Sequence, residues 1–272
     1  EKTANKIYDE MIDFAKYAFN KSHAAAYAVV SYQTAWLKYY YPVEFMAALM
    51  TSVIDNPGKV SEYIYSCRQM GIKILPPDIN KGEGSFSVDS GNIRYGLAAI
   101  KSIGKPVIES IIKERKNGGP FSNLKDFIER LSGKEVNKRT IESFIKSGAF
   151  DSLGGTRKQF MVVYVQILDQ VNRERKYSMT GQLSLFDIVS DDQKSEFDIP
   201  LPDVGEYEKE TKLAFEKEVL GVYLSGHPLE DYEEKWRKNI SRTTLDFQLD
   251  DETGRTKVHD GAKEIVGGMI TN

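Results

Sequence analysis

The chain has 272 residues, of which 40% are hydrophobic and 28% charged, and its formal net charge is −3. This length predicts two or three packed units, and this composition is typical of an ordinary soluble protein. The single cysteine, Cys67, excludes an internal disulfide and a multi-cysteine zinc site, and with only three histidines it points to a reducing compartment.

Residues 1–71 are predicted to form one compact helical unit. A first helix collects apolar side chains on one face, namely Ile7, Met11, Phe14 and Ala18. Ser22 is expected to cap a second helix, which Pro42 must end because proline cannot continue a helix. Pro42 also suits the first turn of a third helix. A fourth helix has one apolar stripe, Val60, Ile64 and Cys67, and is expected to stop at Gly71.

A small β structure is predicted next. Ile72–Leu75 reads as a short strand, and the two prolines after it favour extended chain. Ser85–Val88 and Asn92–Tyr95 are expected to pair as a hairpin across the turn that contains Gly91.

The following segment has the pattern of a helix-hairpin-helix. A helix-like apolar run from Arg94 ends at Ile100, and a second helix follows the link Lys101-Ser102-Ile103-Gly104. Backbone N–H groups at such a helix start bind phosphate, and Gly104 lets a phosphate approach the backbone closely. Lys101 and Lys105 add positive charge beside it. The alternative is an ordinary helical hairpin whose glycine only caps a helix.

A second helix-turn-helix of similar size follows. A short helix is expected over Phe121–Leu131, and Asn137 is expected to cap another helix that ends at Gly148. Lys138 and Arg139 lie at the start of that helix, where they are further candidates for phosphate contact. A longer helix is predicted over Arg157–Val171, with its apolar residues in helical register.

The charges divide along the chain. Between Asn92 and Lys158 there are 14 Lys and Arg residues against 7 Asp and Glu, whereas Asp187–Glu218 has 4 against 11. The basic stretch favours a nucleic-acid partner, and the acidic stretch reads as a solvated linker. The alternative is a helical structural or interaction scaffold with no direct DNA contact. We find no Asp, Glu or His cluster at metal-ligand spacing, and no apolar run of membrane-spanning length.

A small apolar group lies within the polar linker. Its sequence is GQLSLFD, with Leu183, Leu185 and Phe186 as the bulky side chains. Apolar residues in such a segment have no local core, so they favour binding in a partner's pocket, although they also fit a reading in which they fold back on neighbouring helices. Helical pattern resumes after Gly205, and the terminal EIVGGMITN has the pattern of a strand.

Several long blocks resemble one protein family. In order they are FAKYAFNKSHAAAYAVVSYQTAWLKYYYPVEFMAALMTS, LPPDIN, IRYGLAAIKSIG, GPFSNLKDFIER, VNKRTIESFIKSGAFD and EKEVLGVYLSGHPLEDY. They are similar to the bacterial family C replicative DNA polymerases, the DNA polymerase III alpha subunits. The resemblance covers essentially the whole chain. It implies a fragment of a template-directed, DNA-directed DNA polymerase that depends on Mg²⁺ when complete.

The resemblance implies a mainly α fold class with one small β-hairpin and five parts. Residues 1–71 would be the C-terminal part of the fingers, 72–180 a tandem helix-hairpin-helix region, and 181–204 a linker with a clamp-binding peptide. Residues 205–263 would be a helical connector, and 264–272 the start of a truncated OB-fold. The catalytic aspartates belong to a palm domain that nothing here matches, so we expect no catalytic residue, no cofactor and no activity in the fragment alone.

The resemblance also implies the sites and partners. DNA would bind the first hairpin, where Ser102 stands at the usual position of a glycine, and the start of the second hairpin. The pentapeptide Gln182, Leu183, Ser184, Leu185 and Phe186 would bind the sliding clamp. Lys21, Ser22 and His23 would lie near the incoming nucleotide, or else only cap and pack. Other replisome subunits would bind outside this segment, in the bacterial cytoplasm and away from any membrane.

Overall fold

The chain forms two compact units in the computed structural model. The described residues are 2–16, 21–131, 133, 136–179, 199–249 and 256–268. Unit 1 combines residues up to Leu75 with Gly82–Ala99, and unit 2 combines Pro76–Lys81 with the chain from Ile100 onward. The predicted fold class, mainly helical with a small β element, is confirmed.

Unit 1 begins with four helices. They are α1 (Lys2–Lys16), α2 (Lys21–Tyr40), α3 (Pro42–Ser52) and α4 (Pro57–Gln69). Pro42 ends α2 and starts α3 as predicted, and Gly71 follows α4 with a φ of 74°. The prediction that Ser22 caps α2 is wrong, because the helix already includes Lys21.

The core of unit 1 lies on α3 and α4 rather than on all four helices. Its buried helical side chains are Met46, Ala47, Met50, Val60, Ile64 and Cys67. In contrast, the described side chains of α1 and α2 include no buried one, and Ile7 and Met11 are more than half exposed. An apolar stripe therefore predicts which face of a helix favours burial but not whether another element covers it. The domain boundary predicted at residue 71 stays a prediction.

A three-stranded sheet completes unit 1. Its strands are β1 (Ile74–Leu75), β2 (Ser87–Asp89) and β3 (Asn92–Arg94), with β3 in the centre. The predicted hairpin is confirmed, since β2 pairs antiparallel with β3. Ser90 and Gly91 both have positive φ at its two-residue turn, as a type I′ turn requires. β1 adds a parallel edge on the other side of β3.

The predicted helical run from Arg94 to Ile100 is wrong. Arg94 ends β3, and only Leu97–Ala99 forms a single 3-10 turn. The reason is a close approach at Gly96, where a Cβ would lie 2.7 Å from the carbonyl carbon of Ser85. Backbone packing of this kind fixes the segment against the chain that leads into β2, and this contact overrides its helical pattern.

Unit 2 contains the remaining α-helices of the described chain. They are α5 (Lys105–Gly118), α6 (Leu124–Leu131), α7 (Lys138–Ser147), α8 (Arg157–Met179), α9 (Lys209–Leu220) and α10 (Glu233–Asn239). The helices α5, α6, α7, α8 and α9 pack in a series of pairs, in which α8 contacts both α6 and α7. The predicted cap Asn137 and the predicted stop Gly148 of α7 are both confirmed.

Aromatic rings fill the centre of unit 2. Phe127 on α6 contacts Phe144 on α7 and Phe150 after it, with ring centroids 6.0 and 4.8 Å apart. Phe160 on α8 adds an edge contact with Phe150. All four are almost fully buried. Edge-to-face arrangements of this kind stabilise a core beyond the area that they bury.

Helix α9 is part of this packing, although the sequence placed it in a connector of residues 205–263. It lies against α7 and contributes Leu213, Glu216 and Val219 as buried residues. The chain from 256 to 268 forms neither helix nor strand. The predicted start of an OB-fold at 264–272 stays a prediction, and its last four residues lie outside the described chain. No described helix is both long and apolar enough to span a bilayer.

Candidate nucleic-acid interface

The link before α5 forms a tight turn in which Ser102 takes the unusual backbone conformation. Its φ is 69°, whereas Gly104 has an ordinary φ of −79° and serves as the N-cap of α5. The N–H of Ile103 donates to the carbonyl oxygen of Ile100 at 3.4 Å and closes the turn. The position that favours glycine is therefore occupied by serine, and the glycine stands two residues later.

The start of α5 offers backbone N–H groups that are not used within the described chain. No side chain caps this helix, and Pro106 fills one early position without an N–H. The N–H groups of Gly104 and Lys105 have no acceptor among the described residues. Gly104 and Lys105 are also exposed. Free N–H groups and the positive end of the helix dipole together favour an anion at this point.

The start of α7 differs from the start of α5. The side chain of Asn137 accepts hydrogen bonds from the N–H of Thr140 at 3.0 Å and from its hydroxyl at 3.3 Å. Lys138 forms an exposed ion pair with Asp169 at 3.5 Å. The side chain of Asn137 thus satisfies one N–H group at the start of α7, whereas no side chain does so at the start of α5.

Lys101 joins the first hairpin to the end of α9. Its backbone N–H donates to the carbonyl oxygen of Val219 at 2.9 Å, and its ammonium donates to that of Glu218 at 3.0 Å. Carbonyl groups at a helix C-terminus carry the negative end of the dipole and accept such bonds well. The side chain of Lys101 remains exposed, so its ammonium has donor capacity for a further partner.

A groove of about 370 Å³ gathers residues from both predicted hairpins. Its lining residues are Lys101, Ser102, Arg139, Glu142, Ser143, Lys146, Glu218 and Val219. Three of them, Lys101, Ser102 and Arg139, were predicted from the sequence. The predicted residues Ile103, Gly104, Lys105 and Lys138 do not line this groove, although the first three follow Ser102 directly.

Lys146 is the basic group of the groove that the sequence did not single out. Its ammonium lies 2.8 Å from a carboxylate oxygen of Glu142 and 2.8 Å from one of Glu218. Burial lowers the pKa of Lys146, but the two carboxylates outweigh burial and raise that pKa above its ordinary value. The ammonium is therefore charged throughout the neutral range. Its spacing from Glu142 was a visible signal, because residues four apart meet on a helix.

The tentative nucleotide site at the start of α2 is only partly described. Ser22 and His23 are exposed on its first turn, and the His23 ring lies 4.3 Å from that of Tyr27. The side chain of Lys21 lies outside the described residues. The exposure of His23 is consistent with contact to a nucleotide and with packing on Tyr27 alone, and the site stays a prediction.

Two further predictions concern a peptide and a metal. The pentapeptide Gln182–Phe186 lies outside the described residues. Within the described ranges, no three His, Cys, Asp or Glu side chains come together in a way that would hold a metal ion. The described residues therefore do not fit a Mg²⁺ site.

Comparison with known proteins agrees with this geometry. The model of a helix-hairpin-helix motif family matches residues 71–160, which include both predicted hairpins and the groove-lining residues up to Lys146. The DNA polymerase III subunit alpha of Vibrio cholerae serotype O1 is 44% identical over 239 residues, or 88% of this chain and 20% of that protein. The subunits of Mycobacterium tuberculosis CDC 1551 and Escherichia coli K12 are 43% and 42% identical over 82% and 98% of the chain.

The chain belongs to the DNA polymerase III alpha subunit family. It spans about a fifth of the length of these relatives, since the matches cover 19% of the Mycobacterium tuberculosis subunit and 23% of the Escherichia coli K12 subunit. Within this alpha-subunit segment, the open start of α5 and the basic groove beside it form the candidate interface.

Proposed function

We propose that this segment holds duplex DNA by its phosphate backbone, as the duplex-binding part of a bacterial replicative DNA polymerase. The observation that carries the proposal is the uncapped, exposed start of α5 beside a groove that contains Lys101, Arg139 and Lys146. Contacts with phosphates fix the register of a protein on DNA without reading its sequence. That property suits a polymerase, which must hold every sequence that it copies.

Gly104 supports the proposal because the fold itself does not require a glycine there. Its φ lies in the ordinary range, and an added Cβ would touch only the Pro106 ring, at 3.6 Å. Nothing in the described chain needs the space. A bare backbone at an exposed helix start is, however, what close approach of a phosphate requires.

The substitution Gly104→Ala tests this function. We expect it to weaken binding of a short fluorescent duplex about fivefold or more. The added methyl group would keep the phosphate away from the N–H groups, at a cost similar to the loss of one charge-assisted hydrogen bond. The free energy of unfolding should change by less than about 1 kcal/mol, because alanine fits this backbone conformation while serving as a poorer cap. Fluorescence anisotropy at several salt concentrations and urea unfolding give the two readouts.

Gly58→Ala is the matched control. Gly58 also lies in the first turn of a helix, has no positive φ, and its added Cβ would make only an ordinary contact with Asn56, at 3.4 Å. Duplex affinity should be unchanged in this variant. If both variants bound duplex equally well, or if the unaltered chain showed no salt-dependent binding, the proposed function would be wrong.

The finer proposal of clamp binding rests on the pentapeptide Gln182–Phe186. Its sequence resembles the clamp-binding peptide of the family, and it lies between the helix-hairpin-helix region and α9. Gln182 would hydrogen-bond at the rim of a pocket on the sliding clamp, and Leu185 and Phe186 would fill an apolar cleft. A short peptide that orders on binding forms a small interface, so we expect micromolar affinity.

We also propose that the complete protein is a DNA-directed DNA polymerase of the bacterial cytoplasm that uses Mg²⁺, and that this segment alone adds no nucleotides. The relatives are named DNA polymerase III subunit alpha, and this chain matches about a fifth of their length. Other replisome subunits would bind parts of the protein beyond this segment.

A further inference from the structure

The ammonium of Lys146 is held between two acidic side chains at the floor of the groove. Its side chain is only 14% exposed, and the ammonium also lies 5.5 Å from the centre of the Phe215 ring on α9. Both carboxylates, Glu142 from α7 and Glu218 from α9, lie at 2.8 Å. A lysine that is largely withdrawn from water needs such partners, because an unpaired charge is costly in this environment.

The two carboxylates are held with different strength. Glu142 lies on the same helix as Lys146 and is 38% exposed. Glu218 is 57% exposed, and Lys146 is its only side-chain ion partner in the described chain. Exposed pairs contribute little and exchange easily with solvent ions. Glu218 is therefore the carboxylate that can leave without exposing an unpaired lysine.

The position of Glu218 places it in competition with a phosphate. It lines the same groove as Lys101, Ser102 and Arg139. Its backbone carbonyl oxygen accepts a hydrogen bond from the ammonium of Lys101. A phosphate in this groove would meet three basic side chains but also the negative charges of Glu142 and Glu218, of which Glu218 is the more exposed. Like charges a few ångströms apart repel, and so the carboxylate must move away as the phosphate enters.

We propose that Lys146 is a further phosphate-binding residue and that Glu218 is a resident counter-ion, which occupies its ammonium when DNA is absent and competes with DNA when it is present. This inference rests on the proposed function. The competition lowers the affinity of the groove for DNA. The segment can therefore release and rebind the phosphate backbone as the duplex moves. The exchange also keeps the ammonium of Lys146 paired at every stage.

The substitution Glu218→Gln tests the competition in the full 272-residue chain. It removes the competing charge, keeps the side-chain shape and leaves Glu142 paired with Lys146. Duplex affinity at low salt should rise about fivefold, as expected for removal of one negative charge close to a bound phosphate. Adding Lys146→Gln should cancel this gain, because the two residues act on the same phosphate. Thermal unfolding confirms that each variant is folded.

Glu230→Gln is the matched control. Glu230 pairs with Lys209 at 3.1 Å, and Lys209 keeps a second carboxylate, Asp231, at 2.9 Å. This pair lies at the opposite end of α9 from Glu218. Glu230→Gln changes the net charge by the same amount as Glu218→Gln. An equal gain in duplex affinity in both variants would show that only the net charge matters and would overturn the inference. No gain in affinity in Glu218→Gln would also overturn it. Because each outcome requires that the unaltered chain binds duplex, failure of that binding is recognised separately.

Discussion

Ser102 carries the backbone strain of the first hairpin. Its φ of 69° lies in the left-handed region, where a side chain costs about 1 to 3 kcal/mol unless the surroundings enforce it. The surroundings here are the bond from Lys101 to α9 and the turn closed by Ile103. Serine keeps a hydroxyl in the groove that glycine would not supply, and we expect this to be the reason that it is tolerated.

Ser102→Gly should therefore stabilise unit 2. We expect the free energy of unfolding to rise by about 0.5 to 1 kcal/mol, since relief of the left-handed strain exceeds the extra chain entropy of glycine. Urea unfolding measures the change. Ser102→Ala removes the hydroxyl but keeps the strain, so it should bring no gain. Equal stabilisation by alanine and glycine would show that the conformation at this residue is unstrained.

At the scale of elements, α9 is fixed by a buried carboxylate. Glu216 is fully buried, and one of its carboxylate oxygens accepts a hydrogen bond from the guanidinium of Arg157 at 3.3 Å. Its second oxygen accepts the N–H groups of Leu224 and Ser225 at 2.9 and 3.0 Å. Arg157 is also paired with Asp151 at 2.9 Å. One side chain thus fixes the helix, the loop after it and the start of α8.

Glu216→Ala should release α9 from unit 2. Removing one partner of a buried pair leaves Arg157 only partly compensated, so the free energy of unfolding should fall by about 3 kcal/mol. Urea unfolding followed by circular dichroism measures the loss. Glu210 lies on the same helix, is exposed, and forms no ion pair within the described chain. Glu210→Ala should change stability by less than about 0.5 kcal/mol, and equal losses in both variants would rule out the buried anchor.

Elements whose causes are local were predictable from the sequence, and those set by distant residues were not. The cap Asn137, the stop Gly148 and the turn at Gly91 follow from rules that act within a few residues. The loss of the helical run before Ile100 depends on the close approach of Gly96 to the backbone of residues 84–86. The groove likewise depends on Glu218, which lies 72 residues from Lys146, and no local pattern predicts that pairing.

At the scale of the whole molecule, the division of charge has a structural role. The acidic stretch Asp187–Glu218 was predicted to be a solvated linker, yet its last residues belong to α9, where Glu216 and Glu218 pair with basic residues of unit 2. Its first residues adjoin the pentapeptide Gln182–Phe186. The acidic stretch thus begins beside the peptide proposed to bind the clamp and ends at Glu218, which lines the groove proposed to bind DNA. We expect the two proposed functions to be separable by mutation.

The double substitution Gln182→Ala/Phe186→Ala should abolish capture of the purified sliding clamp. It removes the hydrogen-bonding amide and the larger of the apolar anchors, each of which a short peptide cannot replace elsewhere. We expect the clamp affinity to fall at least about tenfold, measured by surface plasmon resonance, because a buried aromatic anchor contributes more than about 1.4 kcal/mol. Duplex affinity should stay unchanged, since the groove and the start of α5 are intact.

Ile188→Ala serves as the control for this double variant, because it removes an apolar side chain from the same segment but outside the pentapeptide. Clamp capture should then persist. Unchanged capture by the double variant would show that the clamp, if it binds, recognises another surface. A parallel loss of duplex and clamp binding would show instead that the segment from 182 to 186 supports the fold of unit 2, and the separation of the two functions would be wrong.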